Sequence, residues 1–159
     1  MDLMSITKEQ LPQAAEIWNQ VVAAGDAFPG DEILSLEEAW EMFQAQTETV
    51  TAVENGEVLG VYILHPNGFG RATHIANASY AVRKDMRGRG IGRCMVLDCI
   101  ERAKKNGFKG LQFNGVVSTN YSALALYLKL GFTMVGTITN GFRMKDGSYV
   151  DSLICLKSW

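Results

Sequence analysis

A short segment rich in arginine and glycine, residues 87–92 (RGRGIG), constrains the fold more than any other feature of the sequence. It joins a predicted strand, residues 74–82, to an amphipathic helix that begins at Ile91 and ends at Gly107. The first turn of such a helix has free N–H groups and the positive end of the helix dipole. Because glycine lets this backbone approach an anion closely, the segment predicts a phosphate-binding turn between a sheet and a helix.

Three basic side chains, Arg87, Arg89 and Arg93, concentrate positive charge at this turn and favour a pyrophosphate over a single carboxylate. The alternative is a tight turn whose arginines lie in solvent. Two better-known glycine loops fit poorly. A P-loop needs Lys and then Ser or Thr after its last glycine, and the dinucleotide-binding pattern needs a glycine at position 93. The sequence therefore disfavours a P-loop kinase and a Rossmann dehydrogenase.

Periodicity and turn signals predict a mixed α/β (α+β) fold in which helices flank one central sheet. A strand, a crossover helix and a strand in the middle of the chain imply a parallel pair, and hairpins on either side imply antiparallel pairs. We treat residues 1–159 as a single domain. The predicted order is ααβββαβαββ, with helices at 7–24, from 35, at 91–107 and 120–130, and strands at 49–54, 58–64, 74–82, 111–117, 132–139 and 149–156.

Charge and cysteine content exclude several classes of function. The 159 residues include 15 basic and 17 acidic side chains, so a dedicated nucleic-acid binder is disfavoured. No apolar run is long enough for a membrane span or a secretion signal. The three cysteines, Cys94, Cys99 and Cys155, do not have the spacing of metal ligands, so no metal is expected. Their odd number indicates reduced thiols, and we therefore expect a cytoplasmic protein.

Residues 79–93, 117–120 and 123–132 together resemble the acetyl-CoA-binding core of the GCN5-related N-acetyltransferases, the GNAT family. The resemblance implies the GNAT fold and acetyl-CoA as co-substrate. It places the pyrophosphate on the backbone of the glycine turn, the pantetheine arm along the preceding strand, and an Asn120 contact with CoA. The residues so implied are Tyr80, Ala81, Val82, Arg87, Gly88, Arg89, Gly90, Ile91, Gly92, Arg93 and Asn120.

Tyr127 occupies the position of the family's general acid, and a phenol can protonate a departing thiolate of similar basicity. The alternative for Tyr127 is a core aromatic. The general base stays open because residues 72–82 contain no Asp or Glu. Water, a backbone carbonyl or one of four side chains could serve, namely His74, Asp26, Asp31 or Glu38.

Asn77 and Asn114 lie on the two strands where the acceptor is expected. Their surroundings and their intervals to Asn120 resemble the yeast acetyltransferases that act on azetidine-2-carboxylate and other proline analogues. The resemblance implies a small amino-acid-like substrate recognised by hydrogen bonds, although both asparagines could instead tie strands together. Phe28 is expected in the wall of the acceptor site, with core packing as its alternative, and Arg143 could meet a substrate carboxylate.

We therefore expect an N-acetyltransferase that moves the acetyl group directly to a small amine within a ternary complex, since no cysteine lies where a nucleophile is needed. Two alternatives remain: a peptide or protein N-terminal acetyltransferase, and a catalytically silent CoA-binding sensor. The family resemblance makes a homodimer plausible through the closing strands. The segment 139–147 is expected to be a loop that closes over the site or pairs with a second subunit.

Overall fold

Seven strands and four α-helices form the chain, and the computed structural model describes all residues 1–159. The first half of the chain contributes a short strand, two helices and three strands, and the second half alternates helices and strands before a closing hairpin. In order, the elements are β1 Asp2–Ser5, α1 Leu11–Ala24, α2 Leu36–Gln44, β2 Glu48–Glu54, β3 Glu57–Pro66, β4 Ile75–Val82, α3 Ile91–Lys105, β5 Gly110–Val117, α4 Tyr121–Lys129, β6 Thr133–Arg143 and β7 Tyr149–Ser158.

Local sequence signals set the ends of the helices. Ser35 and Glu38 form a reciprocal capping box before α2, with N···O distances of 3.0 and 3.1 Å. This contact with Ser35 lowers the pKa of the exposed Glu38 carboxyl. Gly25, at φ 68°, ends α1 in the left-handed conformation that glycine adopts without strain. The predicted helix boundaries are therefore confirmed at these positions.

All seven strands belong to one sheet with the order β1-β2-β3-β4-β5-β7-β6. Only β4 and β5 are parallel, so the predicted mixed sheet is confirmed. These two strands pair only at their first residues, Ile75 with Gly110 and Ala76 with Leu111, and then separate. The edge of β4 that faces β5 is consequently without a strand partner from Asn77 to Val82.

Side chains of the sheet pack into two cores on opposite faces. On β4, Ala76 and Ala78 point towards α3, whereas Ala81 points towards α1. The predicted alternation of this strand is thus confirmed, and it determines that Asn77 and Ser79 lie on the face of α1 and α2. None of the four helices is both long and apolar enough to cross a membrane.

Two predictions about the strands are wrong. The sequence order omits β1, whose four residues pair with β2 at the sheet edge but are too few and too exposed for alternation to show. Residues 139–143, expected in a loop, belong to β6. Asn140 and Gly141 suggest a turn, but they lie in an irregular stretch where the β6–β7 register shifts between Ile138 and Phe142.

Candidate active site

The glycine turn presents unpaired backbone donors. Gly88 and Gly90 have φ values of 79° and 78°, which side chains other than glycine adopt only with strain. Gly90 is the N-cap of α3, and no side chain caps this helix. The N–H groups of Ile91, Gly92 and Arg93 therefore have no partner within the helix and lie at its positive end. This geometry suits an anion with several oxygens, such as a pyrophosphate.

The basic side chains of the turn are also free of carboxylate partners. Arg83 forms ion pairs with Asp85 at 2.7 Å and with Glu57 at 3.4 Å, but Arg87, Arg89 and Arg93 form none. Arg87 and Arg93 line the cavity beside the turn, whereas Arg89 does not. Two of the three predicted cations thus face the cavity, and their charge is available to a bound anion.

A cavity of about 690 Å³, here called the turn groove, runs from residues 86–93 to the start of α4. Tyr80 and Val82 line it, and the unpaired edge of β4 lies along the gap between β4 and β5. A ligand with amide groups can hydrogen-bond to such an edge as an extra strand would. The side chain of Ala81 is buried against α1, so any Ala81 contact in the groove is made by backbone.

A second cavity of about 490 Å³, here called the asparagine cleft, opens on the α1 side and contains Asn77 and Asn114. No charged side chain lines it. Five residues line both the asparagine cleft and the turn groove and so mark the place where the two cavities meet: Ala27, Tyr80, Asn120, Ala123 and Tyr127.

Tyr127 lies at this junction with its ring held between aromatic neighbours. Its centroid is 4.5 Å from that of Phe113 and 5.6 Å from that of Phe132. Burial raises the pKa of the Tyr127 hydroxyl, which has no hydrogen-bond partner. The hydroxyl is therefore a protonated donor without a competing acceptor, as a general acid requires.

Asn120 caps a helix and keeps one side-chain donor free. It is the N-cap of α4, where its Oδ1 accepts hydrogen bonds from Ala123 N and Ser122 Oγ, both at 3.3 Å. Its Nδ2 forms no hydrogen bond, so this donor is available at the junction of the two cavities.

The two predicted asparagines lie together but differ in their bonding. Asn77 Oδ1 accepts from Ala78 N at 2.7 Å, which leaves the Asn77 Nδ2 donor free. Asn114 donates to Asn67 Oδ1 at 2.6 Å and accepts from Gln112 Nε2 at 2.8 Å. Sequence reasoning missed Asn67 because the segment Pro66-Asn67-Gly68 looks like an ordinary turn.

The four side chains considered as a base lie in different places. Asp26 lines the turn groove. Asp31 lies 3.8 Å from Arg143 in an exposed ion pair, and Glu38 caps α2. His74 is exposed in the turn before β4. None of the four lines the asparagine cleft, and of the four only Asp26 lines the turn groove that meets it.

The segment between α1 and α2 forms the outer wall of the cleft. Phe28 lines the asparagine cleft and packs on Trp18 at 4.5 Å between ring centroids. The Asn19 side chain holds the far end of this segment by two hydrogen bonds of 2.9 Å to the backbone N and O of Leu34. Arg143 lies outside the cleft, in a neighbouring cavity that Phe28 also lines.

Comparisons with known proteins agree with this geometry. Residues 13–132 match the model of the acetyltransferase (GNAT) family. The chain is 37% identical over 98 residues to N-acetyltransferase aca1 of Schizosaccharomyces pombe, covering 61% of this chain and 47% of that protein. It is 27% identical over 139 residues to the L-amino acid N-acyltransferase MnaT of Escherichia coli, covering 84% and 80%. Among the curated relatives that it matches, the chain thus spans about half the length of aca1.

Solved structures show the same fold. A GCN5-related N-acetyltransferase from Kribbella flavida superposes with a TM-score of 0.92 at 31% identity, covering 99% of this chain and 97% of that one. Acetyltransferases of this fold have been solved with acetyl-CoA bound. Since the family model covers most of the chain, the glycine turn and Tyr127 included, the chain belongs to the GNAT family of acetyltransferases.

Proposed function

We propose that this protein transfers the acetyl group of acetyl-CoA to the amine of a small amino-acid-like substrate, directly and within a ternary complex. The observation that carries the proposal is the position of Tyr127, whose side chain lines both the turn groove and the uncharged asparagine cleft. Acetyl-CoA supplies an acetyl group activated as a thioester. Residues 1–159 act in this proposal as one catalytic domain.

The turn groove holds the co-substrate. The free N–H groups of Ile91, Gly92 and Arg93 bind the pyrophosphate together with the Arg87 and Arg93 side chains, and Arg89 adds long-range positive charge. The unpaired edge of β4 hydrogen-bonds the pantetheine arm. The absence of any carboxylate ion pair at the three arginines of the turn supports this assignment.

Tyr127 acts as the general acid. As the amine attacks the thioester carbonyl, the C–N bond forms, the C–S bond breaks, and the phenolic proton goes to the departing sulfur. The raised pKa keeps this proton in place throughout the neutral range. No carboxylate lines the asparagine cleft, so water accepts the proton of the acceptor amine.

The asparagine cleft binds the acceptor by hydrogen bonds. The free Nδ2 of Asn77 and the remaining Nδ2 proton of Asn114 are donors for a carboxylate, and Phe28 covers the apolar part of the substrate. Arg143 lies beside this wall and attracts the anionic substrate towards it. A proline analogue such as azetidine-2-carboxylate fits these requirements, and the relative MnaT is an L-amino acid N-acyltransferase.

A homodimer and a cytoplasmic location complete the proposal. Strand β6 is an edge strand of eleven residues whose apolar side chains Met134, Val135 and Ile138 are 46, 54 and 49% exposed. An edge of this length and character is usually covered by a partner. The three cysteines are free thiols, as a reducing compartment allows.

The proposal is tested by acetyl-CoA-dependent thiol release from the purified protein with a panel of acceptors. The panel contains azetidine-2-carboxylate, hydroxyproline, common L-amino acids, polyamines, aminoglycosides and short peptides. We expect turnover with the amino or imino acids. Turnover with peptides alone would indicate that the acceptor is a protein N-terminus. Absence of turnover with every acceptor, together with intact acetyl-CoA binding, would indicate a CoA-binding sensor.

A further inference from the structure

A third cavity lies beside the asparagine cleft and has no role in the reaction described above. It has a volume of about 500 Å³, lies between α1, α2 and β3, and is here called the aromatic compartment. Trp18 and Phe28 form one wall, Met42 belongs to the opposite helix, and Ile63 lies on the sheet. Its interior is therefore mainly apolar.

The aromatic compartment is continuous with the asparagine cleft. Phe28, Pro29 and Ser79 line both cavities. His65, in the compartment, is the register partner of Asn77, in the cleft, across β3 and β4. Paired residues of neighbouring antiparallel strands point their side chains to the same face, so a molecule held at Asn77 borders on the compartment.

Polar groups of the compartment have unused hydrogen-bonding capacity. His65 Nδ1 lies 2.9 Å from Pro66 O, so in the neutral ring whose Nδ1–H donates to this carbonyl, Nε2 is left as an acceptor. Gln46 Nε2 donates to Met42 O at 2.8 Å, which leaves Gln46 Oε1 as a second acceptor. Glu32 also lines the cavity and disfavours a negatively charged occupant.

We infer that the aromatic compartment binds the side chain of an α-amino acid acceptor, and that it selects bulky, mainly apolar side chains ending in a hydrogen-bond donor, such as those of tyrosine and tryptophan. The inference rests on the proposed function, since it assumes that the amino and carboxylate groups occupy the asparagine cleft. The aromatic walls contact the ring, and the two free acceptors receive its O–H or N–H.

The test compares kcat/KM for tyrosine, tryptophan, phenylalanine, alanine and azetidine-2-carboxylate, each at saturating acetyl-CoA. We expect tyrosine and tryptophan to exceed alanine by about tenfold or more in the wild-type protein. Met42→Trp fills the compartment and lowers the tryptophan-to-alanine ratio by about tenfold or more. Met4→Trp, the same change on β1 away from the cavity, leaves the ratio unaltered.

A second variant tests the polar groups and does not depend on how Met42→Trp folds. Gln46→Leu removes one free acceptor, so the preference for tyrosine over phenylalanine falls by about fivefold or more, as the loss of one hydrogen bond implies. If alanine and azetidine-2-carboxylate are acetylated and larger side chains do not raise kcat/KM, the compartment does not bind the acceptor side chain, and the proposed function stands. Absence of turnover with every amino acid overturns the proposed function itself.

Discussion

Tyr62 and Tyr80 face each other across β3 and β4 with ring centroids 5.5 Å apart, yet only one of the two hydroxyls has a hydrogen-bond partner. Tyr62 donates to Asp98 Oδ2 at 2.6 Å, and Asp98 is in turn held by Arg102. The Tyr80 hydroxyl is fully buried and unpaired. It lies beside the Cys99 thiol, and each group shifts the pKa of the other.

The same substitution at these two positions should therefore have opposite effects on stability. Tyr80→Phe removes a buried hydroxyl without a partner and should raise the free energy of unfolding by about 1 kcal/mol. Tyr62→Phe removes a hydrogen bond to a carboxylate and should lower it by about 2 kcal/mol. Urea unfolding at neutral pH measures both. Equal losses in the two variants would mean that Tyr80 has a partner after all.

Alkaline pH should destabilise the fold through the buried tyrosines. Burial raises the pKa of Tyr62, Tyr80 and Tyr127 above the ordinary value. Below pH about 10 both states hold these protons, but above it the unfolded chain loses them first. The free energy of unfolding then falls as pH rises, by about 1.4 kcal/mol per pH unit for each such group. Urea unfolding at pH values from 8 to 11 should show that the free energy of unfolding falls less steeply with pH in Tyr80→Phe than in the wild-type protein. An equally steep fall contradicts a raised pKa at Tyr80.

Tyr127→Phe should lower kcat by about 10²-fold or more, because the phenylalanine ring keeps the packing on Phe113 but has no proton to give. The dissociation constant of acetyl-CoA should stay within about twofold, since the hydroxyl acts on the leaving group. Tyr149→Phe, at an exposed position on β7, is the matched control. Steady-state kinetics and calorimetry measure the two quantities, and unaltered turnover would exclude Tyr127 as the acid.

Gly90→Asp should weaken acetyl-CoA binding by about tenfold or more, because it introduces negative charge at the start of α3. Gly56→Asp is the matched control. Gly56 has φ 76°, close to the 78° of Gly90, and an added Cβ meets no atom within 4 Å at either position. Both variants thus have similar backbone strain. Calorimetric titration with acetyl-CoA should separate them, and equal affinities would place the pyrophosphate elsewhere.

Asn19→Ala should raise the KM of the acceptor without changing that of acetyl-CoA, since the two hydrogen bonds to Leu34 hold the wall of the cleft. We expect an increase of about fivefold, together with a loss of about 1–2 kcal/mol in the free energy of unfolding. Asn106→Ala also removes two hydrogen bonds, to Glu48 and Arg102, but far from the cleft. If both variants raise the acceptor KM alike, the effect comes from stability alone.

Local signals in the sequence predict much of this fold. The Ser35–Glu38 box and the Asn55-Gly56 turn, with φ values of 52° and 76° in the hairpin of β2 and β3, act within a few residues and can be recognised without a structure. Strand β1 cannot, because its formation depends on pairing with residues 50–53, far along the chain. Asn140 belongs to a residue type that favours turns, yet it lies inside β6, so here the local signal predicts the wrong structure.

The site divides in the same way. Tyr127 and the glycine turn lie in contiguous motifs, so the sequence alone is enough to propose them as candidates. The contact of Asn114 with Asn67 joins residues 47 positions apart, and neither residue signals the other. The aromatic compartment depends on the packing of α1 and α2 against β3, which periodicity predicts only as buried apolar faces.

The two hydrogen bonds between Asn19 and Leu34, here called the Asn19–Leu34 clamp, fix one end of a segment through which selection can alter acceptor recognition independently of acetyl-CoA binding. Residues 28–33 lie between the glycine that ends α1 and the clamped Leu34, and none of them lines the turn groove. Mutations in this short stretch should reshape the wall of the asparagine cleft and leave the glycine turn unchanged. After a gene duplication, a descendant could acquire a new acceptor through a few exchanges here, with its use of the same acetyl donor inherited unchanged.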